Sequence, residues 1–201
     1  TGIFTNADGS FLLPSFLTNS SNIAVGGINI DTGLEQVTPL KAPAGSTMIN
    51  PLTTLVQAVI EHATESGVQL SRDAASQKVA TYLGISLPSG QTLSNYDPLA
   101  NNDANSLAAQ KSAAQLTTIL SLAAGANHAL AETIMTNLAT DIANSNNGTR
   151  DLGTLNSNDL NRLFSGTNLT NTTELIRKIT TANTAIESAP NKAEISAAQE
   201  N

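Results

Sequence analysis

Cysteine and tryptophan are both absent from this chain of 201 residues, and aromatic residues of all kinds make up only 3% of it. The lack of cysteine excludes disulfide bonds, thiolate nucleophiles and thiolate zinc sites. Because aromatic bulk is scarce while hydrophobic residues reach 40%, the core has to be built from Ala, Leu, Ile and Val. Such a core suits closely packed helices with small residues at their contacts.

Charge is also scarce, at 12% of the residues, which is about half the usual share. The net charge is −7, and the nine basic residues are spread along the chain without a cluster. We therefore predict no binding to nucleic acid. No apolar run approaches the roughly 20 residues of a membrane helix, so we predict no membrane insertion. A polar but weakly charged surface favours an extracellular or assembled protein over a cytosolic one.

The first part of the chain has the pattern of short strands and turns. Brief apolar runs alternate with turn residues at positions 6–9, 26–27 and 43–45. This part is too short to pair all of its strand edges, and unpaired edges invite a neighbouring strand. We predict a β and loop segment at residues 1–49 and a helical domain at residues 50–201.

Helical spacing begins at residue 50. Asn50 is a good N-cap and Pro51 suits the first helical position, and Leu52 and Leu55 start an apolar face. Ser71 predicts the cap of a second helix. The fold class that follows is mainly α, with a short N-terminal β-strand or hairpin segment followed by an irregular, Ala-rich bundle of about six helices.

Several local predictions concern the later helices. Asp97 and Pro98 repeat the signal of a cap plus proline and predict a short turn of helix. An Ala-rich helix is expected from about Ser106, and Ser157 is expected to cap a short helix. The tail after Pro190 has a thin apolar face, so it is expected to fray or to dock on a neighbour.

No pattern typical of a catalytic centre is present. There is no nucleophile elbow, and His62 and His128 are the only imidazoles. We interpret His62, which lies beside Glu61 and Glu65, as a solvated helix residue, and His128 as a capping or exposed residue. We predict no catalytic residue, no enzymatic activity and no required cofactor.

Calcium is the one metal with a candidate loop. Asn6, Asp8 and Ser10 alternate on a turn that contains glycine, as oxygen ligands do at the start of calcium loops. The loop has no acidic residue at its expected end, and a hairpin turn accounts for the same residues. Calcium therefore stays a weak candidate at these three positions.

Four segments of the first half resemble a module of large bacterial secreted and cell-surface proteins, the adhesin-like repeat proteins. They are residues 7–11, 26–33, 40–47 and 49–56, and residues 82–85 and 97–100 also fit. The matching motif positions are Gly26, Gly27, Asp31, Gly33, Pro43, Gly45, Asn50, Pro51, Leu52, Thr53, Thr54 and Leu55. Asn29 departs from the motif, because an acidic residue is common there.

The resemblance implies a location outside the cell and an architectural role. We predict a non-catalytic structural or adhesive module, with self-association or neighbouring domains of the same surface protein as partners. Self-association through the N-terminal strands would make it a subunit of a surface filament or layer. The alternative is a calcium- or glycan-binding module of a large secreted adhesin.

Overall fold

The chain is mainly α-helical, as predicted. The computed structural model describes residues 3–4, 6, 12–14, 18–29, 33, 35–36, 38–101, 103–126, 128–145, 148–167, 169 and 172–200. Within these residues, strands β1 (Asn22–Ala24) and β2 (Leu40–Ala42) precede seven helices: α1 (Pro51–Glu65), α2 (Arg72–Tyr82), α3 (Ala104–Ala126), α4 (His128–Asn144), α5 (Ser157–Leu163), α6 (Thr172–Ser188) and α7 (Lys192–Gln199). A short 3-10 helix, Leu152–Thr154, lies between α4 and α5.

The two strands form an antiparallel hairpin. Asn22 pairs with Ala42, Ile23 with Lys41 and Ala24 with Leu40. The hairpin is therefore the short β segment that the sequence predicts.

The chain reverses direction between the strands through glycines. Gly33 donates its N–H to the Asn29 carbonyl at 2.7 Å, with a φ of 69° that an L side chain rarely adopts. Gly26 and Gly27 also have positive φ, and Gln36 donates its backbone N–H to Gly27 O at 2.9 Å. These contacts hold the far end of the hairpin closed.

Helix α1 begins where the sequence predicts. The side chain of Asn50 accepts a hydrogen bond from the Thr53 N–H at 2.9 Å, and Thr53 Oγ1 accepts one from the Asn50 N–H at 2.9 Å. This capping box satisfies two backbone donors at once, and Pro51 at the first helical position needs no acceptor. Ser71 likewise caps α2 and accepts from the Ala74 N–H at 3.2 Å.

Two predicted helix starts differ from the observed ones. The cap of α5 is Asn156, and Ser157 is the first helical residue. Asn156 accepts from the backbone of Asp159, and the Asp159 carboxylate accepts from the Asn156 N–H at 3.2 Å, which completes a capping box. The residue three positions after Ser157 is Leu160, which cannot return such a bond.

Near the start of α3, Asp97 forms a turn and not a turn of helix. Its carboxylate accepts from the Leu99 N–H at 2.8 Å. Asp103 then accepts from the Ser106 N–H at 2.8 Å, and α3 begins at Ala104, close to the predicted start at about Ser106. The Asp97 carboxylate therefore stabilises a turn, whereas the Asp103 carboxylate satisfies a backbone donor in the first turn of α3.

The core lies among the helices and is aliphatic. Its largest fully buried side chains are Leu52, Leu55, Leu93, Leu116, Ile119, Ile134, Leu138, Ile142, Leu152, Leu160, Ile179 and Ile186. None of the helices in the part of the chain described is both long and apolar enough to cross a membrane.

The C-terminal tail docks on its own chain. Helix α7 begins after the cap Asn191 and buries Ile195, which is 1% exposed. Ile195 belongs to a small apolar cluster with Ala114 of α3, Ile186 of α6 and Ala189. One well-placed isoleucine thus gives a helix with a thin apolar face enough contact to stay on the bundle.

Candidate functional site

The hairpin has two edges, and α1 covers the inner one. The Lys41 N–H of β2 donates to Thr54 Oγ1 at 2.9 Å. Thr53 Oγ1 lies 2.9 Å from the carbonyl oxygens of both Lys41 and Asn50. Thr54 Oγ1 lies 3.2 Å and 2.9 Å from the same two carbonyl oxygens. Two hydroxyl protons can therefore serve both carbonyls, and the threonine pair replaces a third strand.

The motif residues around this contact have structural positions. Leu52 and Leu55 are buried in the main core, and Thr53 is buried at the contact with β2. In the stretch 51–55, the leucines and the threonines thus face different neighbours, because successive residues of a helix point in different directions. The stretch attaches the hairpin to the bundle.

The turn before α1 is held by an arginine. The Ser46 N–H donates to the Pro43 carbonyl at 3.1 Å, and Gly45 has a φ of 73°, as the third position of such a turn requires. Nη1 of Arg72, the first residue of α2, donates to the Gly45 carbonyl at 2.8 Å. A Cβ on Gly45 would lie 2.8 Å from that same nitrogen, so glycine also makes room for it.

The outer edge of the hairpin is the backbone of β1. Because the Lys41 N–H and carbonyl turn toward α1, those of its partner Ile23 turn away from β2. No residue in the described part of the chain forms a hydrogen bond to the Ile23 backbone. The N–H and the carbonyl of Ile23 are therefore a donor and an acceptor to which another strand can bond.

Apolar side chains accompany the open edge. Ile23 is 60% exposed, Val25 74% and Ile28 68%. Six of the eight large exposed hydrophobic side chains among the described residues lie in the first 28 residues. Residues 18–29 also carry no charge, although the chain as a whole has a net charge of −7. We call residues 22–28, with these three side chains, the open edge.

The calcium candidates are not brought together in the described structure. Asn6 is exposed, whereas Asp8 and Ser10, and the motif residue Asp31, lie outside the described residues. Among the residues that the structure describes, no group of three or more His, Asp or Glu side chains is placed to hold a metal ion. The calcium assignment stays a prediction.

A cavity of about 370 Å³ lies where β2, α1 and α4 meet. His62 is half-buried in its wall, with Nδ1 3.5 Å from Thr140 Oγ1, so it is less solvated than the sequence suggests. Residues from α1, α3 and α4 contribute to the walls, together with Thr38, Pro39 and Lys41. Sequence reasoning missed this cavity because its walls come from segments that are far apart along the chain.

Four charged side chains form a partly exposed cluster near the buried Tyr82. Arg150 Nη1 pairs with Asp159, and Arg162 pairs with Asp141 at 3.2 Å. Burial raises the pKa of Tyr82 to about 12, although Arg150 opposes the shift. Burial disfavours the charge of Asp159, but the hydrogen bond from Arg150 holds its pKa below the usual value. This cluster ties the segment before α5 to α2 and α4.

Comparisons of the chain with protein-family models, with curated proteins and with solved structures give no match. The open edge and the cavity are therefore interpreted from their own chemistry.

Proposed function

We propose that this protein is a non-catalytic extracellular structural or adhesive module that joins a second copy of itself through the open edge. The observation that carries the proposal is the outward-facing backbone of Ile23, to which no described residue bonds, beside the exposed side chains of Ile23 and Val25. Strand addition at such an edge supplies backbone hydrogen bonds and buries apolar surface together. The helical bundle serves as the body that presents the edge.

A second copy is the partner that the charge distribution favours. Two identical surfaces repel each other when each carries net charge, but residues 18–29 carry none. In an antiparallel pairing of two β1 strands, the exposed Ile23 and Val25 of one copy meet the same residues of the other. The open edge is thus chemically complementary to itself.

The composition and the motif resemblance support a location outside the cell. A chain with 12% charged residues and no cysteine covers its surface with Asn, Thr, Ser and Gln. The motif of residues 26–33 and 40–56 is similar to modules of bacterial surface proteins, where such a unit has an architectural role. Both observations agree with a protein that functions through surface contacts.

The proposal is tested by measuring self-association of the wild type and of Ile23→Glu. Ile23 is 60% exposed, so glutamate at this position should preserve the fold, but two copies would place like charges against each other. We expect the dissociation constant of the dimer, measured by analytical ultracentrifugation, to rise by about tenfold or more.

Two further variants distinguish association through the open edge from nonspecific association of exposed apolar side chains. Val68→Glu adds the same charge at an exposed apolar residue between α1 and α2, and association should stay unchanged. Ile23→Pro removes an N–H that points outward, so it should block pairing while the bonds between β1 and β2 remain. A wild type that stays monomeric at millimolar concentration, or equal effects of both glutamates, would refute the proposal.

A further inference from the structure

The cavity between α1 and α4 is lined by both apolar and acidic side chains. Ala58, Leu120 and Met135 supply apolar wall surface from three different helices. Its volume of about 370 Å³ lies within the range of small-molecule sites, roughly 300–1,000 Å³. An apolar wall of this kind favours a ligand with a hydrocarbon body, since burying carbon surface from water is favourable.

The charges around the cavity are unequally compensated. Glu61 is already paired, because Lys41 Nζ lies 3.2 Å from Oε2 and Gln57 Nε2 donates to Oε1 at 2.9 Å. Glu65 of α1 and Glu132 of α4 also line the cavity. Within the described part of the chain, neither of these two carboxylates has an ion pair or a side-chain hydrogen bond.

The same charges argue against other classes of ligand. An anion would meet two uncompensated carboxylates, and Lys41 is occupied by Glu61. A metal ion would need three or more suitable ligands, and no such group occurs among the described residues. A positively charged group on an apolar body complements both the two carboxylates and the apolar side chains of the lining.

We propose that this cavity is a binding site for small organic ammonium compounds with an aliphatic body. The ammonium group lies between Glu65 and Glu132, and the hydrocarbon contacts Ala58, Leu120 and Met135. This site is separate from the open edge and does not depend on self-association.

The test uses three six-carbon probes that differ only in their polar end: hexylammonium, hexanol and hexanoate. Isothermal titration calorimetry should show hexylammonium binding about tenfold more tightly than hexanol, and hexanoate not binding over the same range. The two methionines allow a local readout, because Met135 lines the cavity and Met48 does not. The methyl NMR signal of Met135 should shift with hexylammonium while that of Met48 stays in place.

Matched variants separate charge from shape. The double variant E65Q/E132Q should lower hexylammonium affinity by about tenfold, to the level of hexanol. E194Q/E200Q removes two carboxylates near α7, which does not line the cavity, and should leave the affinity unchanged. Ala58→Phe should abolish binding by filling the cavity.

Several results would overturn the assignment. They are equal binding of hexanoate and hexylammonium, an unshifted Met135 methyl signal, or unchanged affinity in E65Q/E132Q. If Ala58→Phe does not fold, the Met135 signal of the wild type and the glutamine variant decide the question without it.

Discussion

The attachment of the hairpin to α1 depends on threonine hydroxyls, and Thr54→Val tests this directly. Valine keeps the branched shape and nearly the same helix propensity, so the substitution removes the hydroxyl and little else. The hydroxyl accepts the Lys41 N–H at 2.9 Å, and Thr54 is itself buried. Its loss leaves a partly buried backbone donor without an acceptor.

The expected cost follows from that unsatisfied donor. A net hydrogen bond contributes about 1 kcal/mol, and an unpaired buried donor costs about 1–3 kcal/mol. Thr53 can still serve the Lys41 carbonyl, at 2.9 Å, so only the N–H side is lost. We expect the free energy of unfolding in urea to fall by about 2 kcal/mol.

Thr64→Val on the same helix is the matched control. Its hydroxyl is exposed and donates only to the Ile60 carbonyl, one turn earlier, at 2.9 Å. It should change the free energy of unfolding by less than about 0.5 kcal/mol. Hydrogen exchange gives a local readout, because the Lys41 amide should lose protection by about tenfold more than amides of α4 in Thr54→Val. Equal stabilities for the two valine variants, with an unchanged Lys41 amide, would refute the reasoning.

Two further predictions concern the bundle. The Tyr82 hydroxyl has no hydrogen-bond partner in the described structure, so Tyr82→Phe should be as stable as the wild type at pH 7, or more stable by up to about 1 kcal/mol, in urea unfolding. Because burial raises the pKa of Tyr82 to about 12, neutral Tyr82 favours the folded state, and this contribution is lost as the pH rises from about 10 through 12. The wild type should therefore lose stability relative to Tyr82→Phe across that window, and parallel pH curves would contradict the assignment. Ile195→Ala should cost about 3 kcal/mol in guanidinium unfolding because Ile195 is buried, against less than about 0.5 kcal/mol for Val68→Ala at an exposed position. A similar small loss for both alanine variants would mean that α7 contributes no packing energy.

The sequence predicts the elements whose signals are local. Asn50 and Pro51 mark the start of α1 because cap and proline preferences act within one helical turn. The shift of the α5 cap from Ser157 to Asn156 is a failure of the same kind of reasoning. Both residues are good caps, and the return bond from Asp159 decides between them.

The candidate site is predicted only in part, because its parts meet through tertiary contacts. The apolar run of β1 follows from its short-range pattern, whereas the position of β2 does not, because it is fixed by pairing with β1 and by contact with α1. The bonds from Thr53 and Thr54 to Lys41 span 12 and 13 residues, and nothing in the local sequence indicates them. The cavity is even harder to predict, because Glu65 and Glu132 line the same cavity only when α1 packs beside α4.

One edge of the hairpin is covered and the other is open, and this difference limits how many further strands can pair with it. With β2 covered by the threonines of α1, β1 is the one strand edge of the described hairpin to which another strand can add. When two copies pair through β1, neither keeps another open strand edge in the part of the chain that the structure describes, so pairing through these edges stops at two copies. Growth into a filament or a layer would need a second, chemically different surface on each dimer.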